Sequence, residues 1–508
     1  MLGRRSLLLA CAALAVAAQL TATTPVHAAH SETCHTESRA WRYVVVFDPG
    51  TSGSAARDVI DAACGTLTSY FPEVAIAVAT SADPGFGTAP GSARAFSAQR
   101  ARHLRDQGSA TAAAGGAARK GESTARAGDA ADGTRDRTGE QWNLRMAGAP
   151  GADGDPAGLT RSAHADLAGV TVGVLDSGID ATHPDLAKAV DPDSSAGCVD
   201  GVPDRSRSAW SAGDSPHGTH VAGIIGAAAD GHGVTGTAPG VRLASLRVVD
   251  DDGYVTPEAA VCGYVWAARH GMAIVNSSVT VAPSGVSCAA SEGRRVVHEA
   301  VARAVEFAGR SGTLNVAAAT NDDFELGLLP RSELYRDDRS GADPRSDGTA
   351  AADSDDLARS CVAVPAGLRE TVTVAAVDRH GTKTDYSSYG RDVIDLAAPG
   401  GSAGDCVVST VPGGYGRLCG TSMAAPHVTG AAAILAADGA DERSPTALRR
   451  MLRRQARPTD CPGTARENGT CTGPREDNAF HGRGMVDTRA AYRTHAVHRL
   501  LTRLGAEH

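Results

Sequence analysis

GVTVGVLDSGID, residues 169–180, decides how this chain folds. Its first half is an apolar run that reads as a strand, and Asp176 follows at once, so a carboxylate emerges at the carboxyl edge of a sheet. Beyond it, helix-like and strand-like stretches alternate: helical over 217–229, strand over 241–248, helical over 258–270, strand over 274–275, helical over 295–308, strands over 314–319 and 371–376, and helical over 422–436. That alternation predicts an α/β fold, a doubly wound parallel sheet with helices on both faces. Ligands bind such sheets at the carboxyl ends of the strands, which is where Asp176 stands.

At 508 residues the chain has room for about three domains. Lys+Arg 49 against Asp+Glu 58 leaves a net charge of -9, without the basic surplus that a phosphate-neutralising surface needs, so nucleic acid is not expected as a partner. Arg4 and Arg5 precede an apolar run over 7–18, and small residues end at Ala28 and Ala29, the order of a secretory signal over 1–28. The paired arginines leave open a twin-arginine route. The run is too short to span a bilayer and no later stretch is long enough, so a secreted, extracellular protein without a membrane anchor is expected. Cys11 falls in the signal, and the remaining ten cysteines form an even set that suits disulfides in an exported chain. Pairing neighbours in order gives 34–64, 198–262, 288–361, 406–419 and 461–471.

Residues 41–47 read as a strand, 55–63 as a short helix and 74–79 as a second strand, together a small α+β unit within 29–107. Residues 108–139 are rich in Ala, Gly and small polar residues without apolar periodicity, a flexible linker that suits either a removable pro-segment or an interdomain spacer. The segment between Asn321 and Cys361 exceeds an ordinary loop and reads either as a surface excursion near the site or as a mobile segment.

Two further segments place reactive side chains at element ends. In SPHGTHVAGIIG, His217 starts a small-residue helix in which Gly218 and Gly223 permit close packing; in CGTSMAAPHVTGAAAIL, Ser422 sits at a helix N-terminus beside Gly420, where its own N–H faces developing negative charge. Each alone reads as an ordinary cap or turn residue. Taken together and in this order, DSGID, HGTHVAG and GTSMAAPHVTG resemble the motifs of the subtilisin-like serine proteases, the subtilases. The resemblance covers a catalytic domain over 140–490, with a tail over 491–508.

The resemblance implies a secreted serine endopeptidase, autoprocessed from a zymogen, in which Asp176 orients His217, His217 is the general base and Ser422 the nucleophile. Asn321, closing LNVAAATN, corresponds to the family's oxyanion donor. His220 and His427 lie on the motifs but are expected to be packed structural histidines. Ser278, Val279 and Thr280 on one side, and Gly253, Tyr254 and Val255 on the other, correspond to the strands that pair with an extended peptide. Thr280 and Thr320 stand where the family usually has Gly; both are expected to narrow the pocket for the residue before the scissile bond, favouring small residues there or weakening general proteolysis. Asp250, Asp251 and Asp252 lead into the Gly253 edge, either as a solvated loop or as an attraction for basic residues of the substrate.

The resemblance also implies a structural Ca2+ ion, with Asp185, Asp230 and Gln141 as side-chain ligands and Ala228, His232 and Val234 as carbonyl donors, an oxygen set that suits a hard cation. It further implies that the 29–107 unit is an inhibitory pro-domain, the chain's own intramolecular partner, removed by a cut between Gly121 and Glu140. Protein or peptide substrates and a monomer are expected. The reading from another class is a catalytically weak relative acting as a binding or scaffold protein. An esterase would carry its serine in a GxSxG elbow, whereas Ser422 lies in GTSMA.

Overall fold

The computed structural model describes residues 34–35, 37–88, 93–110, 135–149, 166–281, 286–287, 292–327, 362–437, 444–462 and 470–505. The expected signal, most of the linker, and Cys288 and Cys361 lie outside the described residues. Residues from 36 onward cluster as one compact unit.

Its centre is a seven-stranded sheet in the spatial order Ile394–Pro399, Thr371–Val377, Leu314–Ala318, Ile274–Ser277, Thr171–Asp176, Arg242–Arg247, Ala196–Gly197. Every pairing in it is parallel. Side chains alternate as the pleat requires. Val172 and Val174 face one core with Val221, Ile225 and Val428, while Leu175 faces the other with Leu246, Val261 and Val265. The strands are buried along nearly their whole length because both faces are covered, so their apolar residues run consecutively and do not strictly alternate with polar ones. After Thr171–Asp176 the chain pairs on one side with Arg242–Arg247 and then crosses to pair Ile274–Ser277 on the other. The order reverses about the strand that ends in Asp176, and a crevice opens at such a reversal.

The expected doubly wound fold is therefore present, with elements added. Strand Ile394–Pro399, the hairpin Val407–Val411 and Gly414–Leu418, and helices Pro445–Gln455 and Thr488–Gly505 were not anticipated. The last corrects the expected tail. The helix packs against Thr421–Ala436 and buries Ala491, Tyr492 and His495, spaced as one helical face, but small and polar enough to read as surface in sequence.

The N-terminal unit is a four-stranded antiparallel sheet in the order Thr66–Phe71, Ile76–Ser81, Trp41–Val46, Arg94–Phe96, with helices Gly53–Ala62 and Ala98–Ala110. One face holds Val44, Val46, Ile76 and Val78 against helices Pro257–Arg269 and Glu292–Arg310. Arg303 in the second of these helices donates to the carbonyls of Phe47 (2.7 Å) and Val74 (3.2 Å) and pairs with Glu299 at 2.5 Å, and Glu299 also pairs with Arg94. Breaking a buried pair of this kind typically costs about 3–5 kcal/mol, because the remaining charge is stranded.

Three expected disulfides are present: Cys198–Cys262, Cys406–Cys419 and Cys461–Cys471. Cys34 and Cys64 are each disulfide-bonded as well.

Candidate active site

Asp176 ends its strand fully buried, and its Oδ1 accepts hydrogen bonds from Ser177 N and from His217 Nδ1, both at 2.7 Å. The second bond fixes the imidazole so that Nε2 is the nitrogen left to exchange protons. His217 opens the helix His217–Gly226, and the glycines bring that helix close. A side chain on Gly218 would collide with the Gly178 carbonyl, and one on Gly223 with Ser409 and Thr410, whose hydroxyls donate to the His220 and Thr219 carbonyls.

Ser422 is the second residue of the buried helix Thr421–Ala436. It is clamped to the end of strand Ile274–Ser277: Ser422 Oγ donates to Ser278 O at 3.0 Å, and Ser278 Oγ donates to Ser422 O at 2.9 Å. The Cys406–Cys419 bridge closes the preceding hairpin three residues before Ser422. Asn321 Oδ1 accepts from both Thr421 N and Thr421 Oγ1 at 2.9 Å, which turns the amide nitrogen the other way. A Cβ on Gly420 would lie 3.3 Å from Asn321 Nδ2 and 3.6 Å from both Asn321 Oδ1 and Ser422 N, so the Asn321 amide and the Ser422 N–H approach the same backbone position. Convergent N–H groups on rigid elements are what a developing oxyanion requires.

Asp176, His217, Asn321 and Ser422 all line one cleft of about 650 Å³, together with Gly253, Ser278, Val279, Thr280 and Thr320. The residues expected at the triad, the oxyanion position and the substrate edges thus come together here, except Tyr254, which lines a neighbouring cavity instead. Among the described residues, the same cleft carries Asp214, Asp250, Asp251, Asp252 and Asp322 against one guanidinium, Arg247. Thr320 is held at φ +84°, a left-handed conformation that disfavours a β-branched residue, and its hydroxyl bonds Ser388 Oγ at 2.7 Å. Sequence reasoning missed Ser388 because no motif contains it.

His220 and His427 are packed as expected. Burial lowers them to about 3 and about 4, and they bond Val407 O and Met423 O respectively, while Asn143 meets the other ring nitrogen of His427.

The residues expected around calcium lie on three segments, Gln141 before helix Trp142–Ala147, Asp185, and the loop at 228–234, which hydrogen bonds to Asp185 and Gln141 join. Asp185 is buried, and desolvation raises its pKa, opposed by hydrogen bonds from Val234 N and Tyr415 and reinforced by the Asp230 charge. The carbonyls of Ala228 and Val234 accept no hydrogen bond among the described residues. A buried carboxylate repelled by a second one, beside open carbonyls, fits a hard cation. Gln141 spends its amide on Thr235, donating to its O and accepting from its N. Among the described residues no three His, Cys, Asp or Glu side chains gather about one point, so a site here depends on main-chain oxygens.

Residues 168–485 match the Subtilase family. The chain belongs to it. Subtilisin DY of Bacillus licheniformis is 31% identical over 325 residues, covering 64% of this chain and 91% of that protein. Thermitase of Thermoactinomyces vulgaris is 30% identical over 279 residues, covering 54% and 77%. The solved structure of the epidermin leader peptide processing serine protease of Staphylococcus aureus has the same fold, with a TM-score of 0.56 at 18% identity, covering 90% of this chain and 98% of that one. This subtilase is accordingly a serine endopeptidase acting on protein or peptide substrates.

Proposed function

We propose that this subtilase is an extracellular endopeptidase, made as a zymogen and freed by cutting itself in the linker, with Asp176, His217 and Ser422 as its catalytic triad. The observation that carries this reading is the 2.7 Å Asp176–His217 bond in the cleft that Ser422 and Asn321 also line. Ser422 Oγ attacks the scissile carbonyl while its proton passes to His217 Nε2. Asp176 holds the ring and favours the imidazolium. The tetrahedral oxyanion is met by Asn321 Nδ2 and Ser422 N. Collapse breaks the C–N bond as His217 returns the proton to the leaving amine, and water then repeats the sequence on the acyl-enzyme. The peptide lies between Ser278-Val279-Thr280 and the Gly253 edge, with Thr280 and Thr320 favouring a small residue before the cut.

The disulfides suit an oxidising, extracellular setting. The N-terminal unit acts as an intramolecular inhibitor, a role supported by its broad apolar seat on helices Pro257–Arg269 and Glu292–Arg310. A calcium ion on Asp185, Asp230 and the Ala228, His232 and Val234 carbonyls, with Gln141 bracing the loop, would supply stability and no chemistry. The working form is a monomer.

Thr320 in its strained conformation favours the second reading, a catalytically weak relative that binds peptides. The parent and Ser422→Ala full-length chains separate the two. A serine-directed phosphonate that labels only the parent, with a new N-terminus in the linker of the parent alone, is the expected result. Two full-length unlabelled chains would refute the protease reading.

A further inference from the structure

The short turn at 250–254 is braced from several sides. Asp250 N donates to Tyr254 O at 2.8 Å, Gly253 N donates to Asp250 O at 3.0 Å, and Asp250 Oδ1 accepts Tyr254 N at 2.8 Å. Gly253 provides the left-handed corner at φ +81°. These bonds consume Oδ1 and present Oδ2 beside the Tyr254 ring, which is more than a third exposed. That corner already holds a cation. Arg102, on helix Ala98–Ala110 of the N-terminal unit, places Nη2 3.2 Å from Asp250 Oδ2 and its guanidinium carbon 4.3 Å over the centre of the Tyr254 ring.

A carboxylate edge combined with an aromatic face is a good receptor for a guanidinium, and the two contacts reinforce each other. The surroundings add charge of the same sense. Asp250, Asp251 and Asp252 line both the catalytic cleft and a second cavity of about 940 Å³, which Tyr254 lines without reaching the cleft and which Arg39, Arg42 and Arg102 of the N-terminal unit also line, so the turn is the shared wall of the two. Asp251 is paired with Arg247 at 2.7 Å and Asp200 with Arg42 at 2.6 Å, so Asp250 is the carboxylate that the turn itself offers with an aromatic partner.

We infer that Asp250 and Tyr254 form a binding site for one Arg or Lys side chain of the substrate, on the amino-terminal side of the scissile bond, which Arg102 occupies until the N-terminal unit leaves. The inference rests on the triad reading above and on the Gly253 edge as the place where that part of the peptide lies. It gives the N-terminal unit a second means of inhibition, because its own cation fills the subsite.

The test uses the processed enzyme and peptides with Ala before the scissile bond in a neutral background, with a single Arg moved through the second, third and fourth positions before the cut. At one position kcat/KM is expected to rise about tenfold over the neutral peptide, and the gain should shrink in 0.5 M salt. In Asp250→Asn and Tyr254→Ala the ratio of Arg peptide to neutral peptide should fall toward one. In Asp193→Asn, an exposed position outside the cleft, the ratio should stay as in the parent. Cleavage of the neutral peptide with no Arg preference above twofold, or a preference that survives both substitutions, overturns the inference alone. Failure to cleave any peptide, with no phosphonate labelling, overturns both it and the triad reading.

Discussion

Replacing Ser388 with Ala should damage catalysis from a distance, because Ser388 holds the residue before Asn321 in a conformation it would otherwise leave. Ser388 is fully buried. Its Oγ bonds Thr320 Oγ1 at 2.7 Å and accepts Phe324 N at 3.1 Å, and its own N donates to Thr320 O at 3.1 Å. The left-handed conformation costs a non-glycine residue about 1–2 kcal/mol. Loss of the hydroxyl strands the buried Thr320 Oγ1 at about 1–3 kcal/mol and frees the part-buried Phe324 N from its partner. Together these exceed the cost of a local shift of 320–324, so the segment should relax and carry Asn321 out of place. Losing an oxyanion donor costs about a hundredfold or more in kcat, and Ser388→Ala should approach that loss with KM changed by less than about threefold, since the peptide edges are untouched. In a Thr320→Gly background the strain and the Thr hydroxyl are both gone, and Ser388→Ala should then cost less than about threefold. Measuring kcat and KM for the parent, both single variants and the double variant, with Asn321→Ala as the reference for complete loss, checks this. Equal losses in the two backgrounds, or an undiminished kcat in Ser388→Ala alone, would refute the reasoning.

Glu258 lies fully buried under the N-terminal unit, and desolvation pushes it from 4.5 up to about 7, against the opposing pull of its own backbone N–H, the Arg42 charge, the Thr256 hydroxyl and the Arg102 charge. The folded chain therefore keeps a proton that the unfolded chain releases above pH 4.5, so stability is full below that pH, declines as pH rises to about 7, and is flat beyond. Two to three pKa units amount to about 3 kcal/mol, and in the uncleaved Ser422→Ala chain a Glu258→Gln substitution should flatten this part of the melting curve against pH; identical profiles with and without it would count against the buried carboxyl. For calcium, a chelator should lower the melting temperature of the same chain by several degrees, as expected for losing a ligand present at about 100 times its Kd. Asp185→Asn should abolish the chelator effect, and a melting temperature indifferent to chelator in the parent would mean that the loop closes through Val234, Tyr415 and Gln141 alone.

What could be read in sequence, and what could not, divides by distance along the chain. Asp176 was legible because the strand that presents it is its own neighbour, and His217 and Ser422 because each stands at the head of a helix whose small residues follow directly. The sheet was legible for the same reason, since a strand buried on both faces carries its signal in consecutive residues. Strand Ile394–Pro399 and the hairpin at 407–418 were missed although they are equally buried, because Gly, Pro, Asp and Arg interrupt their apolar runs. Helix Thr488–Gly505 was missed because its buried face is made of Ala, Tyr and His. The groups that tune the site act across larger gaps. Ser388 reaches Thr320 over 68 positions, and Arg102 reaches Asp250 over 148. Neither carries a local pattern, because a hydroxyl or a guanidinium obtains its meaning from the partner that the fold brings to it. The departures at Thr280 and Thr320 were nevertheless visible as departures. At Thr320 the physical consequence differs from simple pocket filling: its hydroxyl is spent on Ser388, so the residue acts on the backbone that carries Asn321 as well as on the space beside it. A substitution in this family's oxyanion segment therefore has to be judged with the residue that clamps it, and in this chain that residue is Ser388.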